Sequence, residues 1–554
     1  MPATRKLSLA LALATLTSAA QTPAHPAFPT GATTPLGAQI AALLAEPAAA
    51  QDHWGIAVTT LDGTPIYGHD EGELFRPASN AKLYTSAAAI AILGPEKHFT
   101  TQVVAQGKIE HGTLHGALIL KGAGDANFDA GYALPYVTPA LRPPNQPPLP
   151  PLADFDALAE QVAAKGIKSI DGDIVGDDTY FENTPYAEGW STDDLLWGYG
   201  APVSALTLHD NQLDLTITDE AKPGSSKSPT ITLSPDVPFY TVNVKPADGS
   251  WAGSVTNQDF GHNQVLIERD PGSRNFNIVG NVVAKYGSVQ EEVAIDQPAE
   301  FAAAALRQAL EQQGVKVKGT VRAKHWDSGF VGSFYAASHA PVPMAEADPK
   351  FFQPGPVTCG AQSTDNNAKQ EEQVVAEHVS PAFAEDLTLT LKDSQNLHAE
   401  IMLRNIAAEK DCEHTLRRGL QLVRAYWLHA GLDGNDFTFY DGSGLSTKDL
   451  VAPRATVKLL SYATTQPWFA IWKNGLPVGG EDGTLRSRFP VAPLKDHVFA
   501  KTGTLGESRA LSGYVDCASG KQVIFSIMAD DHSPGTPADR ITMDKIVAAI
   551  AAAE

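Results

Sequence analysis

The chain has 554 residues, of which 43% are hydrophobic and 19% are charged, so it can bury a large core and is not mainly disordered. At about 150 residues per domain, this length predicts several domains. Lys and Arg number 41 against 63 Asp and Glu, and the net charge of −22 disfavours contact with the phosphate backbone of a nucleic acid. The three cysteines, Cys359, Cys412 and Cys517, exclude a scaffold built on disulfides and allow at most one pair, which the sequence does not identify.

Residues 1–20 have the pattern of a secretory signal peptide. Arg5 and Lys6 form a short basic segment, Leu7–Leu16 is apolar, and small residues follow before Gln21. An uncleaved membrane anchor is the alternative, but this apolar run is much shorter than the ~20 residues that span a bilayer. The pattern predicts export to the periplasm or cell-wall space, and cleavage would leave a net charge of −24. No later segment predicts a transmembrane anchor.

A hairpin and a helix are predicted after a flexible lead-in at residues 21–36, which is rich in Pro, Thr and Ala. Strand patterns on either side of Asp62-Gly63 predict a hairpin with a two-residue turn. Residues 79–93 are rich in Ala, lack internal Gly and Pro, and stop at Gly94-Pro95, which predicts a helix with a defined end.

The middle of the chain alternates strand and helix patterns, and two stretches in it fit neither. Residues 135–151 contain eight prolines and predict an extended surface insertion, whereas residues 337–375 lack periodicity and predict a long loop. Residues 209–290 carry alternating patterns that predict a small β-rich module. The remaining patterns are strands at 100–110, 113–122 and 168–178 and helices at 153–164 and 299–314.

From residue 380 onwards, helix patterns dominate. Ser380-Pro381 is typical of a helix start, with Pro at the first helical position. A strong hairpin pattern occupies residues 509–530, and a final helix is predicted to begin at Thr536-Pro537. The apolar face of that helix consists of Met543, Ile546, Val547 and Ile550. The two outer portions of the chain therefore predict one compact domain into which the middle is inserted.

Three short motifs carry residues suited to acyl transfer. In the first, Ser79 and Lys82 lie three residues apart on the predicted helix and therefore share a face. A serine hydroxyl becomes a nucleophile when a base takes its proton, and a lysine can be that base if burial or a nearby cation keeps it neutral. Taken alone, such a pair is more typical of a helix cap and a solvated lysine.

The other two motifs are equally short. Ser394-Gln395-Asn396 begins a stretch with the pattern of an amphipathic helix and could alone be a cap, and a similar triplet at residues 273–275 is interpreted as a turn. Lys501-Thr502-Gly503-Thr504 precedes the last hairpin. Its lysine can meet a carboxylate where the glycine lets the backbone approach closely, or it can be an ordinary edge-strand lysine.

The ordered set S-x-x-K, S-x-N and K-T-G is the signature of penicillin-recognising serine enzymes. The chain resembles the low-molecular-mass class C penicillin-binding proteins, the D-alanyl-D-alanine carboxypeptidase/endopeptidase family. The segments that carry the resemblance are PASNAKLYTSAAAIAILG, SQNLHAEIMLR, YDGSGLSTKDLVAP and KTGTLGESRALSGYV, with weaker matches at GAGDANF, DGDIVGDDTYF and YGAPVSALTLHDN. The distance of 312 positions from Lys82 to Ser394 is similar to that family's insertion of extra domains at this point.

The resemblance implies a mixed α/β fold, with a β-lactamase/transpeptidase-like catalytic domain that is split by inserted, β-rich domains. The expected boundaries are a catalytic domain over 37–100 and 380–554, an inserted domain over 101–208 and 291–336, a second inserted domain over 209–290, and an irregular linker over 337–379. We call residues 37–100 and 380–554 the catalytic region and residues 101–379 the inserted region. Because all three motifs lie in the catalytic region, the inserted region is expected to contribute little to bond breaking.

The resemblance also implies a role for each residue of the first two motifs. Ser79 would attack the carbonyl of the penultimate D-Ala, with Lys82 as the general base. Ser394 would bridge towards Lys501 and pass a proton to the leaving amine. Asn396 would orient Lys82 and the substrate amide. The middle residue of the second motif is often Asp in the family, whereas Gln395 stands here, a departure expected to be minor.

Substrate contacts are implied for the third motif and for one acid of the inserted region. Lys501 and Thr502, beside Gly503, would meet the terminal carboxylate. The backbone N–H groups of Ser79 and Thr504 would form the oxyanion hole.

Asp177 matches a family acid that meets the free amine of the peptide's diamino acid. A solvated turn acid beside Asp178 is the alternative. Asp177 is the one residue of the inserted region that is expected to touch substrate.

The implied function is that of a serine D-alanyl-D-alanine carboxypeptidase with D,D-endopeptidase activity. It would act on peptidoglycan peptides, bind β-lactams covalently, and need no cofactor or metal ion. A β-lactamase is one alternative, but that class has a much shorter segment between the first two motifs and needs a further acid for deacylation. A non-enzymatic wall-binding protein is the other, and the intact motifs argue against it. The sequence does not decide the balance between the two peptidase activities or the oligomeric state.

Overall fold

The computed structural model describes residues 25–132, 134–143, 149–218, 229–246, 263–282, 286–343, 346, 348–355, 372–411, 413–533 and 535–554. The predicted signal peptide, Cys359 and Cys412 lie outside the described residues, and so does any disulfide between those two cysteines. Cys517 is buried with a free thiol. Within the described residues, no helix combines the length and apolar character needed to cross a membrane.

Helices and strands alternate along the chain. The α-helices are α1 (Pro35–Leu44), α2 (Ala81–Leu93), α3 (Ala153–Ala164), α4 (Pro298–Gln312), α5 (Phe334–Ser338), α6 (Phe383–Lys392), α7 (Asn396–Lys410), α8 (Leu416–His429), α9 (Pro453–Thr464), α10 (Phe469–Asn474) and α11 (Ala538–Ala553). The strands are β1 (His53–Thr60), β2 (Pro65–His69), β3 (Thr100–Glu110), β4 (Thr113–Lys121), β5 (Ser169–Ile170), β6 (Ile174–Asp177), β7 (Gln212–Thr218), β8 (Thr230–Ser234), β9 (Thr241–Pro246), β10 (Gln264–Glu268), β11 (Asn275–Asn281), β12 (Val289–Ala294), β13 (Lys316–Val317), β14 (Val321–Lys324), β15 (Glu372–Val379), β16 (Phe437–Thr438), β17 (Leu450–Val451), β18 (Val498–Leu505), β19 (Ser508–Asp516) and β20 (Gln522–Asp530).

The catalytic region is built around an antiparallel sheet with the strand order β18-β19-β20-β1-β2. Strand β1 pairs with β20, so that His53 lies opposite Asp530 and Thr60 opposite Val523. Alternate residues of β20 serve two cores: Phe525 packs with α1 and α11, whereas Ile524 packs with α2 and α9. Because both faces of the sheet are covered by helices, the strand is a nearly continuous hydrophobic run.

The inserted region contains a mixed seven-stranded sheet and two three-stranded sheets. In the large sheet β4 pairs with β3 antiparallel and with β5 and β6 parallel, and the buried faces of α3 and α4 pack on it. Strands β7, β8 and β12 form one small sheet and β9, β10 and β11 the other. The inserted region therefore has a hydrophobic core of its own, while the domain boundaries given above remain a prediction.

Several predicted elements are confirmed. Helix α3 spans the predicted residues, and α2 ends at Gly94, whose φ of +82° suits a glycine. The last hairpin is formed by β19 and β20, and the four apolar residues that define the face of α11 are all buried. The hairpin of β1 and β2 is also present, although residues 61–64 form a longer connection than a two-residue turn.

Three predictions near the borders of the catalytic region were wrong. Helix α1 begins at Pro35, inside the expected flexible lead-in, where the Thr34 hydroxyl accepts a hydrogen bond from the Gly37 N–H. Helix α6 begins at Phe383, because the Ser380 hydroxyl accepts a hydrogen bond from Phe99 N–H rather than capping a helix. The expected irregular linker ends in a strand, β15, which pairs with β3 about 270 positions earlier in the chain and was not visible as a local pattern.

Candidate active site

The nucleophile motif lies where a tight turn enters the central helix. Ser79 occupies a 3₁₀ turn, Ala78–Asn80, directly before α2, and its neighbour Ala78 has a φ of +45°. Lys82 lies in the first turn of α2 with no exposed surface, and its Nζ is 2.9 Å from Ser79 Oγ. An alanine with positive φ is strained, and such backbone is concentrated at functional sites.

Burial makes the neutral form of the Lys82 amine accessible near neutral pH. Its Nζ lies 2.6 Å from Asn396 Oδ1 and 2.8 Å from the Ser443 carbonyl oxygen. Burial lowers the pKa of Lys82 to about 7, although the negative charges of Asp441 and Glu400 raise it in part. Near neutral pH an appreciable fraction of this lysine is therefore able to accept a proton.

A rigid loop holds the Ser443 carbonyl in place. Glu400 Oε1, which is fully buried, accepts hydrogen bonds from the N–H groups of Gly442 (2.8 Å) and Ser443 (2.9 Å). The backbone of Gly444 passes so close to the nucleophile turn that an added Cβ would lie 1.8 Å from the Ala78 carbonyl oxygen. The Asp441–Gly444 turn therefore lies directly against the first motif.

The second motif faces the first. Ser394 has a φ of +63° and leads into α7, whose first residue is Asn396. Asn396 Nδ2 donates a hydrogen bond to the Tyr199 carbonyl (2.8 Å), while its Oδ1 faces Lys82. The prediction of an amphipathic helix was wrong, because α7 is buried at almost every residue after Asn396.

The third motif completes the cluster from the edge of the sheet. Lys501 lies on β18 without exposed surface, and its Nζ is 2.7 Å from Ser394 Oγ and 3.0 Å from the Thr502 carbonyl oxygen. Burial, together with the positive charge of Lys82, holds the pKa of Lys501 well below its usual range. Within the described residues, no carboxylate lies at ion-pair distance from this amine. The site is thus complementary to an anion.

Glycine is required where β18 passes the nucleophile turn. A Cβ at Gly503 would lie 2.7 Å from the Pro77 carbonyl oxygen and 3.2 Å from Ala78 Cβ. Thr502 Oγ1 donates to Thr484 Oγ1 (2.7 Å), on a neighbouring 3₁₀ turn. A cavity of about 520 Å³ lies beside this strand, and its lining includes Thr484, Thr502, Thr504, Arg509 and Arg540.

Asp177 is not joined to this cluster by any contact in the described residues. Its Oδ2 lies 2.9 Å from Lys324 Nζ, and its Oδ1 accepts hydrogen bonds from the Thr179 N–H and hydroxyl groups. Burial raises the pKa of Asp177, but the Thr179 hydrogen bonds and Lys324 outweigh it and lower the pKa. It is thus a buried, paired acid rather than a solvated one, and a role in substrate binding stays a prediction.

Two residues of the inserted region that contact the second motif were missed by the sequence analysis. The Tyr199 carbonyl accepts from Asn396, and Asp210 Oδ2 accepts a hydrogen bond from Gln395 Nε2 (2.7 Å). Both residues lie in the segment YGAPVSALTLHDN, which resembles the family but contains no recognisable catalytic pattern. These two residues contact the motif, whereas the expectation for Asp177 concerned contact with substrate and stays a prediction.

The proline-rich segment also reaches the catalytic region. Tyr136 Oη accepts a hydrogen bond from the Gly483 N–H (3.4 Å), next to Thr484. This contact shows that at least one end of the predicted surface insertion packs beside the turn that touches Thr502.

The groups of potential metal ligands found in the described residues include none of the residues of this cluster. His25, Asp433 and Asp436 place ligand atoms within 4.8 Å of one another. Arg454 already donates to both oxygens of Asp436 (2.6 and 2.8 Å), so this group is better explained as an ion-pair cluster.

Comparison with known proteins gives consistent matches over most of the chain. The profile of the D-Ala-D-Ala carboxypeptidase 3 (S13) family matches residues 36–346 and 354–552. A D-alanyl-D-alanine carboxypeptidase of Actinomadura sp. (strain R39) is 31% identical over 513 residues, which cover 91% of this chain and 82% of the relative. D-alanyl-D-alanine carboxypeptidase DacB of Haemophilus influenzae is 23% identical over 486 residues, covering 87% and 86% of the two chains.

Solved structures agree on the fold. Penicillin binding protein 4 (dacB) from Haemophilus influenzae gives a TM-score of 0.69 at 21% identity and covers 91% of this chain and 97% of that chain. The same protein complexed with a β-lactam gives a TM-score of 0.65 at 20% identity, covering 92% and 97%. The predicted mixed α/β fold of several domains is confirmed.

Proposed function

The chain belongs to the D-Ala-D-Ala carboxypeptidase 3 (S13) family, and we propose that it is a serine peptidase that releases the terminal D-alanine of peptidoglycan stem peptides through an acyl-enzyme on Ser79. The observation that carries this proposal is the buried Lys82 amine, with its pKa lowered to about 7, at 2.9 Å from Ser79 Oγ. A neutral amine in hydrogen-bond reach of a serine is the arrangement that makes the hydroxyl nucleophilic.

Acylation would proceed by attack of Ser79 Oγ on the carbonyl carbon of the penultimate D-Ala. The hydroxyl proton passes to Lys82 Nζ as the C–O bond forms. Collapse of the tetrahedral intermediate breaks the peptide C–N bond, and the proton that Lys82 accepted passes through Ser394 to the leaving amine, so that Lys82 is neutral again. Lys501 supports Ser394 at 2.7 Å. Asn396 keeps Lys82 aligned through its Oδ1, 2.6 Å from Nζ.

The substrate carboxylate would supply the negative charge that the site lacks. Lys501 is a fully buried amine without an acidic partner in the described residues, so an incoming carboxylate would restore its positive charge. Thr502, beside the cavity along β18, would donate to the same group. The N–H groups of Ser79 and Thr504 would stabilise the oxyanion.

Deacylation would then use water. The water oxygen attacks the ester carbonyl of acylated Ser79, and its proton passes to neutral Lys82. The ester C–O bond then breaks, Lys82 returns the proton to Ser79 Oγ, and the shortened peptide leaves with a new carboxylate. β-Lactams would form the same ester, and a slow second step would make them inhibitors.

Two further parts of the proposal rest on the sequence. The family resemblance supports D,D-endopeptidase action, in which the leaving amine belongs to a second stem peptide. The signal-peptide pattern of residues 1–20 supports export to the compartment that contains peptidoglycan.

Digestion of purified muropeptides tests the activity. We expect loss of one D-alanine from pentapeptides and, for endopeptidase action, conversion of cross-linked dimers to monomers, both absent with Ser79→Ala. A β-lactamase would instead leave muropeptides intact and hydrolyse penicillin with a short-lived adduct, and a binding protein would leave both unchanged. Either of these results would contradict the proposal.

A further inference from the structure

A buried hydrogen-bond network of charged and polar side chains lies behind the second motif. His398 has no exposed surface, and its ring nitrogens lie 2.5 Å from Asp386 Oδ1 and 3.0 Å from Asp210 Oδ1. The Tyr132 hydroxyl also donates to Asp210 Oδ1, at 2.9 Å. Burial lowers the pKa of His398, but the two carboxylates raise it to about 10, so that its ring is an imidazolium that donates to both acids.

The last member of this network, Gln395, belongs to the second motif itself. Asp210 Oδ1 accepts hydrogen bonds from His398 and Tyr132, whereas Asp210 Oδ2 accepts one from Gln395 Nε2 at 2.7 Å. Gln395 stands between Ser394 and Asn396, so a side chain anchored on Asp210 restricts the backbone that carries both neighbours. Each oxygen of this 4% exposed carboxylate therefore has a donor, as a buried charge requires.

The backbone on both sides of this hydrogen bond is strained. His209, Asp210 and Asn211 all have positive φ values, of 49°, 54° and 54°, and Ser394 has 63°. Three consecutive non-glycine residues in the left-handed region persist only where their surroundings fix them.

Hydrogen bonds provide that fixation. Asn211 Oδ1 accepts from the Leu208 N–H (3.1 Å), and Asn211 Nδ2 donates to the Pro202 carbonyl (2.9 Å). The turn at 209–211 thus holds Asp210 in one place, facing the motif.

The identity of residue 395 fits this environment. A glutamine amide can donate to a carboxylate, whereas an acidic side chain at the same place would set two negative charges against each other. Gln395 is therefore suited to the carboxylate of Asp210 that it faces.

We propose that Asp210 and Gln395 form a positioning contact, through which the inserted region holds Ser394 and Asn396 in register with Lys501 and Lys82. Neither residue touches the reacting atoms; both act through their neighbours. The contact deepens the proposed function and rests on it, because its effect is on acylation of Ser79.

Exchange of the two partners tests the contact. Gln395→Glu places a carboxylate against Asp210 and should slow β-lactam acylation by about 100-fold, since small displacements of catalytic groups cost that much. Combining Gln395→Glu with Asp210→Asn exchanges the donor and the acceptor and leaves the net charge of the pair unchanged. The amide nitrogen at position 210 can then donate to the carboxylate at position 395, while the amide oxygen at position 210 still accepts from His398. The acylation rate of the double variant should return to within about fivefold of that of the unaltered chain. Two independent destabilising substitutions would instead add their effects.

The measurements separate positioning from folding. Acylation is followed by intact mass over a range of drug concentrations, and we expect the maximal rate to fall in Gln395→Glu while the half-saturating concentration changes little. Gln313→Glu, the same exchange at an exposed helix end, is the matched control and should acylate normally. If Gln395→Glu folds poorly, Gln395→Ala removes the donor without adding charge and should slow acylation about tenfold.

Two results would overturn the proposal. A Gln395 variant that acylates as fast as the unaltered chain, or a double variant no faster than the slower single variant, would show that the contact positions nothing. An unaltered chain that forms no adduct would overturn the proposed function and, with it, this contact's role.

Discussion

The catalytic and inserted regions contribute to the site in different ways. All five side chains of the cluster come from the catalytic region, from the start of α2, the start of α7 and strand β18. Among its described residues, the inserted region contributes one backbone carbonyl, of Tyr199, and one carboxylate, of Asp210, both directed at the second motif. In the function and the contact that we propose, the first region provides the chemistry and the second holds one of its parts.

Helix α7 is one of the elements at which the two regions meet. Its Leu397 and Ile401 pack with Phe181 and Val203 of the inserted region, and Asn405 Nδ2 donates to the Gly124 carbonyl (2.9 Å). Its other faces pack against α2 within the catalytic region. A helix covered on all sides has few alternative positions, which suits an element that carries Asn396 at its first turn.

Removal of the proposed base, Lys82 of the catalytic region, should reduce the acylation rate more than any other substitution that leaves Ser79 in place. Lys82→Ala should slow acylation by about 10³-fold or more with every acyl donor, because among the described residues only the Lys82 amine lies within hydrogen-bond distance of Ser79 Oγ. Lys410→Ala is the matched control: Lys410 is also buried but donates to the carbonyls of Gln353 and Gly355. A Lys82→Ala rate close to that of the control would show that Lys82 is not the base.

The pH dependence of the acylation rate should reflect the protonation of Lys82. Because the neutral amine is the active form and its pKa is about 7, acylation should be constant at high pH and decrease below about pH 7. At pH 5 the rate should be about 100-fold below its plateau, a tenfold decrease per pH unit. Thermal unfolding at each pH excludes loss of the fold, and a flat profile from pH 5 to 8 would contradict the assignment.

Lys501 should have a smaller and more selective effect. Lys501→Ala should slow reaction of a donor ending in a free carboxylate by about 30-fold, because a charged hydrogen bond is lost. A donor with the carboxylate amidated should lose much less. Equal losses on the two donors, measured as kcat/KM, would show that Lys501 does not recognise the carboxylate.

The smallest expected effect lies in the inserted region. If Asp177 meets the free amine of a stem peptide, Asp177→Asn should slow hydrolysis of that peptide about tenfold and leave the amine-acetylated peptide unaffected. Asp171→Asn, at another acid paired with a lysine, Lys318, provides the control. Equal losses on both peptides would mean that Asp177 only anchors Lys324.

The sequence predicted the catalytic cluster because each motif is local and its order is distinctive. Ser79 and Lys82 are one helical turn apart, and the pairing of Lys501 with Ser394 follows from the family resemblance. Asp210 and Tyr199 could not be predicted, because their contacts with residues 395 and 396 join segments more than 180 positions apart. Strand β15 was missed for the same reason, since its partner β3 lies even farther away in the sequence.

The central claim is that Ser79 is the nucleophile, and intact mass after incubation with a β-lactam tests it most directly. The unaltered chain should gain the mass of one drug molecule, and peptide mapping should place the adduct on Ser79. Ser79→Ala should gain nothing over the same period. An adduct of the same mass on Ser79→Ala, or one mapped to another residue, would contradict the claim.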